Sequence, residues 1–201
     1  MSLFTKNQTN TVQSGERQML EAKYRNSRSN LLFVIAFTVI NIILLVTQSN
    51  SYFLFSAYIP YMFVDYGMYF GGMYPTEAYG EYLSQITFLG KGFFAVMLAI
   101  AVVILLFYLV CWIFSKKPSK GWLITALVFF SMDTVGLILM QGINVELILD
   151  YVFHGWVIVS LVNGILTVKK LKNLPEEPEI PETVEPVEAP EAPAELPQEE
   201  A

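Results

Sequence analysis

The fold is decided by an apolar pair, Trp122–Gln141 (WLITALVFFSMDTVGLILMQ) and Glu146–Leu166 (ELILDYVFHGWVIVSLVNGIL). Each half has the roughly 20 apolar residues that an α-helix needs to cross a hydrocarbon core. The connection over Gly142–Val145 is as short as those joining antiparallel helix neighbours. Three ionisable groups interrupt this background: Asp133 in the first half, Asp150 and His154 in the second. Counted out from Ile143 and Asn144, Asp133 and His154 stand at equal offsets. A rise of about 1.5 Å per residue then places them at the same depth on facing helices.

Working outward, two more apolar runs complete the pattern, and spans are expected at about 31–48, 93–114, 122–141 and 146–166. The chain has 201 residues, 54% of them hydrophobic, and a mean hydropathy of +0.49. That composition excludes an ordinary soluble domain. The net charge of −6 divides unevenly. Residues 1–174 carry all 12 Lys and Arg against eight acids, whereas the last 26 residues carry ten Glu and no basic residue. The single cysteine, Cys111, excludes an internal disulfide and a thiolate metal site. The basic residues flank the apolar runs, which fits membrane topology, and no nucleic-acid signature is present.

Lys116, Lys117 and Lys120 follow the second run, and Lys169, Lys170 and Lys172 follow the fourth. Short Lys- and Arg-rich loops stay cytoplasmic. Together with the polar, basic segment 1–30, these clusters fit four spans with both termini cytoplasmic and do not fit five. Glu16–Tyr24 has the composition of a short helix beside the membrane. The run from Leu31 is too long for a signal-peptide core and lacks a cleavage site after it, so it reads as an uncleaved span.

Residues 51–91 therefore fall outside, as an aromatic-rich interfacial or re-entrant cap between spans one and two. Eight of the eleven tyrosines lie within 52–82. Pro60, Asp65, Gly67, Gly71 and Gly72 argue against a fifth span, and this aromatic density suits the headgroup region. Beyond the basic cluster, residues 169–201 run into a Glu- and Pro-rich tail that lacks the apolar content to order itself.

Glu146, Asp150 and His154 are spaced four apart and form one stripe down a helix. With Asp133 and with Asn41 of the first span, Asp150 and His154 are expected to converge in the outer half of the bundle. Two readings of that cluster stay open. As glue, intramembrane polar groups join helices by hydrogen bonds. As a site, Asp133, Asp150 and His154 would bind protons or a divalent cation in a small transporter or sensor. No metal is assigned, because one histidine without a nearby thiol makes a poor zinc set. A third reading, a membrane-embedded enzyme with Ser131 or Ser160 as nucleophile, lacks a motif: no nucleophile elbow, zinc-protease helix or phosphate loop occurs, and none implies a cofactor. The patterns Gly67-x-x-x-Gly71 and Ser160-x-x-x-Gly164 suit close helix approach.

Several short stretches carry a resemblance. They are Phe114-Ser115-Lys116-Lys117, Gly121-Trp122-Leu123-Ile124, Asp133, and Ile148-Leu149-Asp150-Tyr151-Val152-Phe153-His154-Gly155-Trp156-Val157. Arg28-Ser29-Asn30-Leu31-Leu32 and Ser51-Tyr52-Phe53-Leu54-Phe55-Ser56-Ala57 extend it. Over about residues 25–174 the chain resembles a group of small four-span integral membrane proteins of low-GC Gram-positive bacteria. The resemblance implies a bacterial plasma membrane and, since the group has no assigned activity, no substrate. The expectation is an all-α integral membrane protein, a four-helix transmembrane bundle. Its leading function is that of a non-enzymatic accessory or scaffold protein. Besides the lipid bilayer, a protein partner would meet the acidic tail or the aromatic cap.

Overall fold

The computed structural model describes residues 2–49, 51–53 and 55–174, with side chains from residue 14 onward. The Glu- and Pro-rich tail after Leu174 lies outside the described residues. Five α-helices follow one another: α1 (Ser2–Val46), α2 (Tyr58–Gly71), α3 (Gly90–Phe114), α4 (Lys120–Gln141) and α5 (Ile148–Asn173). Short 3₁₀ stretches cover Thr76–Ser84 and Val145–Leu147. No strand occurs among the described residues. Four helices are long and apolar enough to cross a membrane: those within Ser14–Val46, Gly90–Phe114, Lys120–Gln141 and Val145–Asn173.

The first helix differs from expectation. In place of a polar segment with a separate short helix, α1 is one continuous helix of 45 residues. No proline or glycine interrupts Glu16–Val46, so the polar turns simply extend the apolar ones. Its inward face reads Leu20, Tyr24, Ser27, Leu31, Val34, Thr38 and Asn41, all buried. Steps of four and three residues alternate, the spacing of a coiled-coil seam. The same alternation recurs in α4 through Leu123, Ala126, Phe130, Asp133 and Leu137. Asp133 thus occupies a core position. Outward faces stay apolar, with Leu139, Val103 and Val159 each more than half exposed. Hydropathy alone could not separate the two faces of these helices.

α1 packs against α5 and α3, α4 packs against α5 and α3, and α2 lies along α3 while touching α1 and α4. At one end, rich in basic residues, the Tyr24 hydroxyl donates to the Ser115 carbonyl at 2.8 Å. The Arg28 guanidinium there sits 4.5 Å above the Trp112 ring and donates to the Trp112 carbonyl. The opposite end holds the tyrosines. There the chain leaves α1, runs back along it through residues 51–53 and 55–57, and turns into α2 beside Asp133. α2 then returns to the tyrosine end and stops at Gly72, whose φ of +68° suits the left-handed cap. Beyond it the Tyr74 hydroxyl donates to Asp65, and burial together with that bond holds the Tyr74 phenol above its usual range.

Both small-residue patterns are spent on contacts inside the chain. A Cβ at Gly67 would lie 2.8 Å from Met97 Cβ on α3, and one at Gly164 would lie 2.9 Å from Ser27 Cβ on α1. Gly67→Ala and Gly164→Ala are each expected to lower unfolding stability by about 1–3 kcal/mol through overpacking. Gly155→Ala has open space at its Cβ and should be neutral or stabilising by up to about 1 kcal/mol. Unfolding of the three variants in detergent checks this ordering.

Candidate functional site

A helix that starts inside a bundle carries four backbone donors without intrahelical partners. For α2 these are the N–H groups of Ala57, Tyr58 and Ile59, and the fourth position is Pro60, which has none. The three are satisfied by two side chains on other helices, Thr38 of α1 and Asp133 of α4. Ala57 N–H donates to Thr38 Oγ1 at 2.8 Å, and Thr38 in turn donates to the Val34 carbonyl at 2.6 Å. Tyr58 N–H donates to Asp133 Oδ2 at 2.9 Å, and Ile59 N–H donates to Asp133 Oδ1 at 2.7 Å. One carboxylate of α4 thus caps a helix that begins 75 residues earlier, and its negative charge sits at the positive end of the α2 dipole.

His154 of α5 completes the arrangement. Its Nδ1 lies 2.8 Å from the Asp150 carbonyl and its Nε2 lies 3.1 Å from Asp133 Oδ2. A carbonyl only accepts, so Nδ1 carries a hydrogen. The Nε2 contact then needs a second proton, on the imidazole or on the carboxyl. Two backbone donors already point at the carboxyl, and the positive end of the α2 dipole faces it. Asp133 and His154 thus form a buried polar pair, both partners at most 2% exposed. The His154 ring stacks on Phe130, centroids 5.1 Å apart and 17° between planes.

Asn41 serves a neighbouring contact and makes no hydrogen bond to Asp133, Asp150 or His154 among the described residues. Its Oδ1 accepts from Phe53 N–H at 2.8 Å, while Nδ2 donates to the Phe53 carbonyl and to Ser56 Oγ. The side chain thereby pairs with the extended segment as a neighbouring strand would. The expected convergence of four groups resolves into a clip at Asn41 and Thr38 and a latch at Asp133 and His154. Between them Phe55 is held at φ +78°, a conformation rare for a bulky residue. Its ring meets Phe153 edge-on at 4.6 Å.

Asp150 stands apart from the latch in a second sense. Its backbone carbonyl serves His154, but its carboxylate has no hydrogen bond or ion pair among the described residues. It is 7% exposed and lines a cavity of about 300 Å³ with Tyr52, Tyr58, Tyr61, Gln141 and Glu146. No group of three or more His, Cys, Asp or Glu residues able to hold a metal ion occurs among the described residues. The residues that sequence reasoning missed are Thr38 and the donors at 57–59. Ala57 is a poor local cap, and Pro60 two residues after the helix start was the one available signal.

No protein family model, curated protein or solved structure matches this chain.

Asp133→Asn removes the charge and turns one acceptor into a donor facing a backbone N–H. The expected loss is about 3–5 kcal/mol, the cost of breaking a buried pair. His154→Phe preserves the stack on Phe130 and leaves both α2 donors capped, so the loss should be smaller, about 1–3 kcal/mol. Equal losses in thermal unfolding of the two variants would contradict this ranking.

Proposed function

We propose that the protein is a non-enzymatic accessory or scaffold protein, a multi-pass component of a bacterial plasma membrane with both termini cytoplasmic. In this reading Asp133, His154, Asn41 and Thr38 lock a re-entrant aromatic segment into the outer half of a transmembrane bundle. The observation that carries it is the full commitment of the polar pair. Both Asp133 oxygens and both His154 nitrogens are bonded within the chain. Both nitrogens of the imidazole and most of the acceptor capacity of the carboxylate are thereby used within the chain.

An enzyme built on these residues is disfavoured for the same reason. No serine hydroxyl bonds to the imidazole, and Ser160 Oγ instead accepts from Asn30 Nδ2. A general base needs hydrogen-bond reach to the proton it removes. Re-entry is supported by backbone accounting, since irregular chain at membrane depth must be satisfied by protein or water. The lysines near residues 116–120 and 169–172 support the orientation. Exposed aromatic groups at the opposite end, among them Tyr52, Phe53 and Tyr82, offer a surface for the bilayer interface or for a partner. The resemblance to four-span proteins of low-GC Gram-positive bacteria is consistent with this reading.

A second reading, binding of a proton or cation, keeps one specific support. Of Asp133, Asp150 and His154, only Asp150 has a carboxylate free to meet a ligand.

In a Cys111→Ala background, single cysteines at Ser2 and Lys172 should resist an impermeant thiol reagent in intact cells, while one at Gly80 should react. Purification in mild detergent should yield a stoichiometric partner. A solitary protein whose vesicles show cation-dependent flux would overturn the scaffold reading.

A further inference from the structure

Asp150 presents a physical problem that the latch does not solve. Asp150 is a buried residue, and a carboxylate so placed without a bonding partner is costly to keep charged. Its place in the first turn of α5 offers favourable dipole energy, but a dipole gives its oxygens no donor. The cavity they reach has no Lys or Arg on its wall. His154, one turn along α5, is engaged with Asp133. Glu146 adds a second acid at the mouth, so the wall is electrically one-sided.

The rest of the lining is aromatic and neutral. Tyr52 and Tyr61 meet edge-on, centroids 5.4 Å apart and 80° between planes. Tyr58 forms a third side, and its hydroxyl accepts from Gln141 Nε2 at 3.1 Å, leaving the Gln141 carbonyl oxygen as an acceptor. Leu137 and Leu147 close the wall. A metal ion would want several hard or imidazole ligands, and no group of three or more His, Cys, Asp or Glu able to hold one occurs among the described residues. An alkylammonium group matches them: its N–H or N–CH₃ groups take the carboxylate on one side and the π faces on the other. A volume near 300 Å³ is at the small end for ligand sites, and it admits an ammonium head together with part of the chain that carries it.

We propose that this cavity binds an organic ammonium group, with Asp150 as its counter-ion and Tyr52, Tyr58 and Tyr61 as its aromatic wall. The ammonium is carried either by a small soluble amine or by an aminophospholipid headgroup. All three tyrosines belong to the segment that the Asp133 latch holds in place, so the wall exists only while the segment is docked. The Asp150 side chain is no part of that latch, and failure of the amine site would leave the structural reading of Asp133 and His154 intact.

The test is isothermal titration of the full chain, purified in dodecyl maltoside, with ethanolamine and with choline against sodium chloride at equal ionic strength. Saturable binding of at least one amine is expected, weakened about tenfold or more in Asp150→Asn through loss of a charged hydrogen bond. Tyr61→Leu keeps the carboxylate and should weaken binding about tenfold through the lost ring. It carries the comparison if Asp150→Asn does not fold. A parallel arm adds phosphatidylethanolamine or phosphatidylglycerol to the micelles. Competition with ethanolamine by phosphatidylethanolamine alone identifies a lipid headgroup as the source; competition by neither lipid identifies a soluble amine. The proposal is overturned if neither amine binds saturably and phosphatidylethanolamine gives no selective thermal stabilisation. It is equally overturned if the folded variants bind as tightly as the wild type, or if sodium chloride reproduces the response.

Discussion

A helix that begins within an apolar bundle brings with it backbone N–H groups that water cannot reach, and each one left unbonded costs several kcal/mol in such surroundings. Everything between α1 and α3 depends on how this protein meets that demand at Tyr58 and Ile59. The Asp133 carboxylate accepts both donors, and His154 meets it from the other side at 3.1 Å. The cap is supplied from another helix. The start of α2, the path of residues 51–57 and the docking of two long helices are therefore consequences of one interaction.

The remaining architecture makes that interaction possible. The seam of α1 alternates steps of three and four, which keeps Thr38 and Asn41 on the face that meets the extended segment. Gly67 lets α2 approach Met97 of α3, and Gly164 lets α5 approach Ser27 of α1. These contacts hold the half-helix against its neighbours by close packing, so the polar latch need only orient it. Van der Waals packing and small residues are the principal means of association where lipid and protein are equally apolar.

Asp133 and Asp150 illustrate how position decides the role of identical side chains. Asp133 meets two backbone donors and the His154 ring, so both of its oxygens are engaged within the chain. Asp150, on the same stripe as His154, lends its backbone to the imidazole and lines a cavity with three tyrosines. One is held inside a closed circuit of bonds, and the other ends one. That contrast separates the structural part of the polar cluster from the part available to a ligand.

Much of this was legible in the residues themselves. The apolar runs marked four helices, and the short Gly142–Val145 connection gave equal offsets to Asp133 and His154, which indeed meet at 3.1 Å. Rise per residue is constant in a helix, so depth on an antiparallel hairpin can be counted. The Pro, Asp and Gly residues in 60–72 likewise argued that this aromatic stretch was no fifth span. What could not be read was the partner of each group. Asn41 was grouped with the acids because depth was its only coordinate, whereas its hydrogen bonds go to Phe53 and Ser56. The cap of α2 joins residues 74 and 75 positions apart, and neither Ala57 nor its neighbours carry a local cap signal. Helix lengths, depths and charge placement are local properties and follow from the chain. Which donor finds which acceptor is decided only when the extended segment folds back between the helices, because that step alone brings the open end of α2 to the one buried carboxylate that can close it.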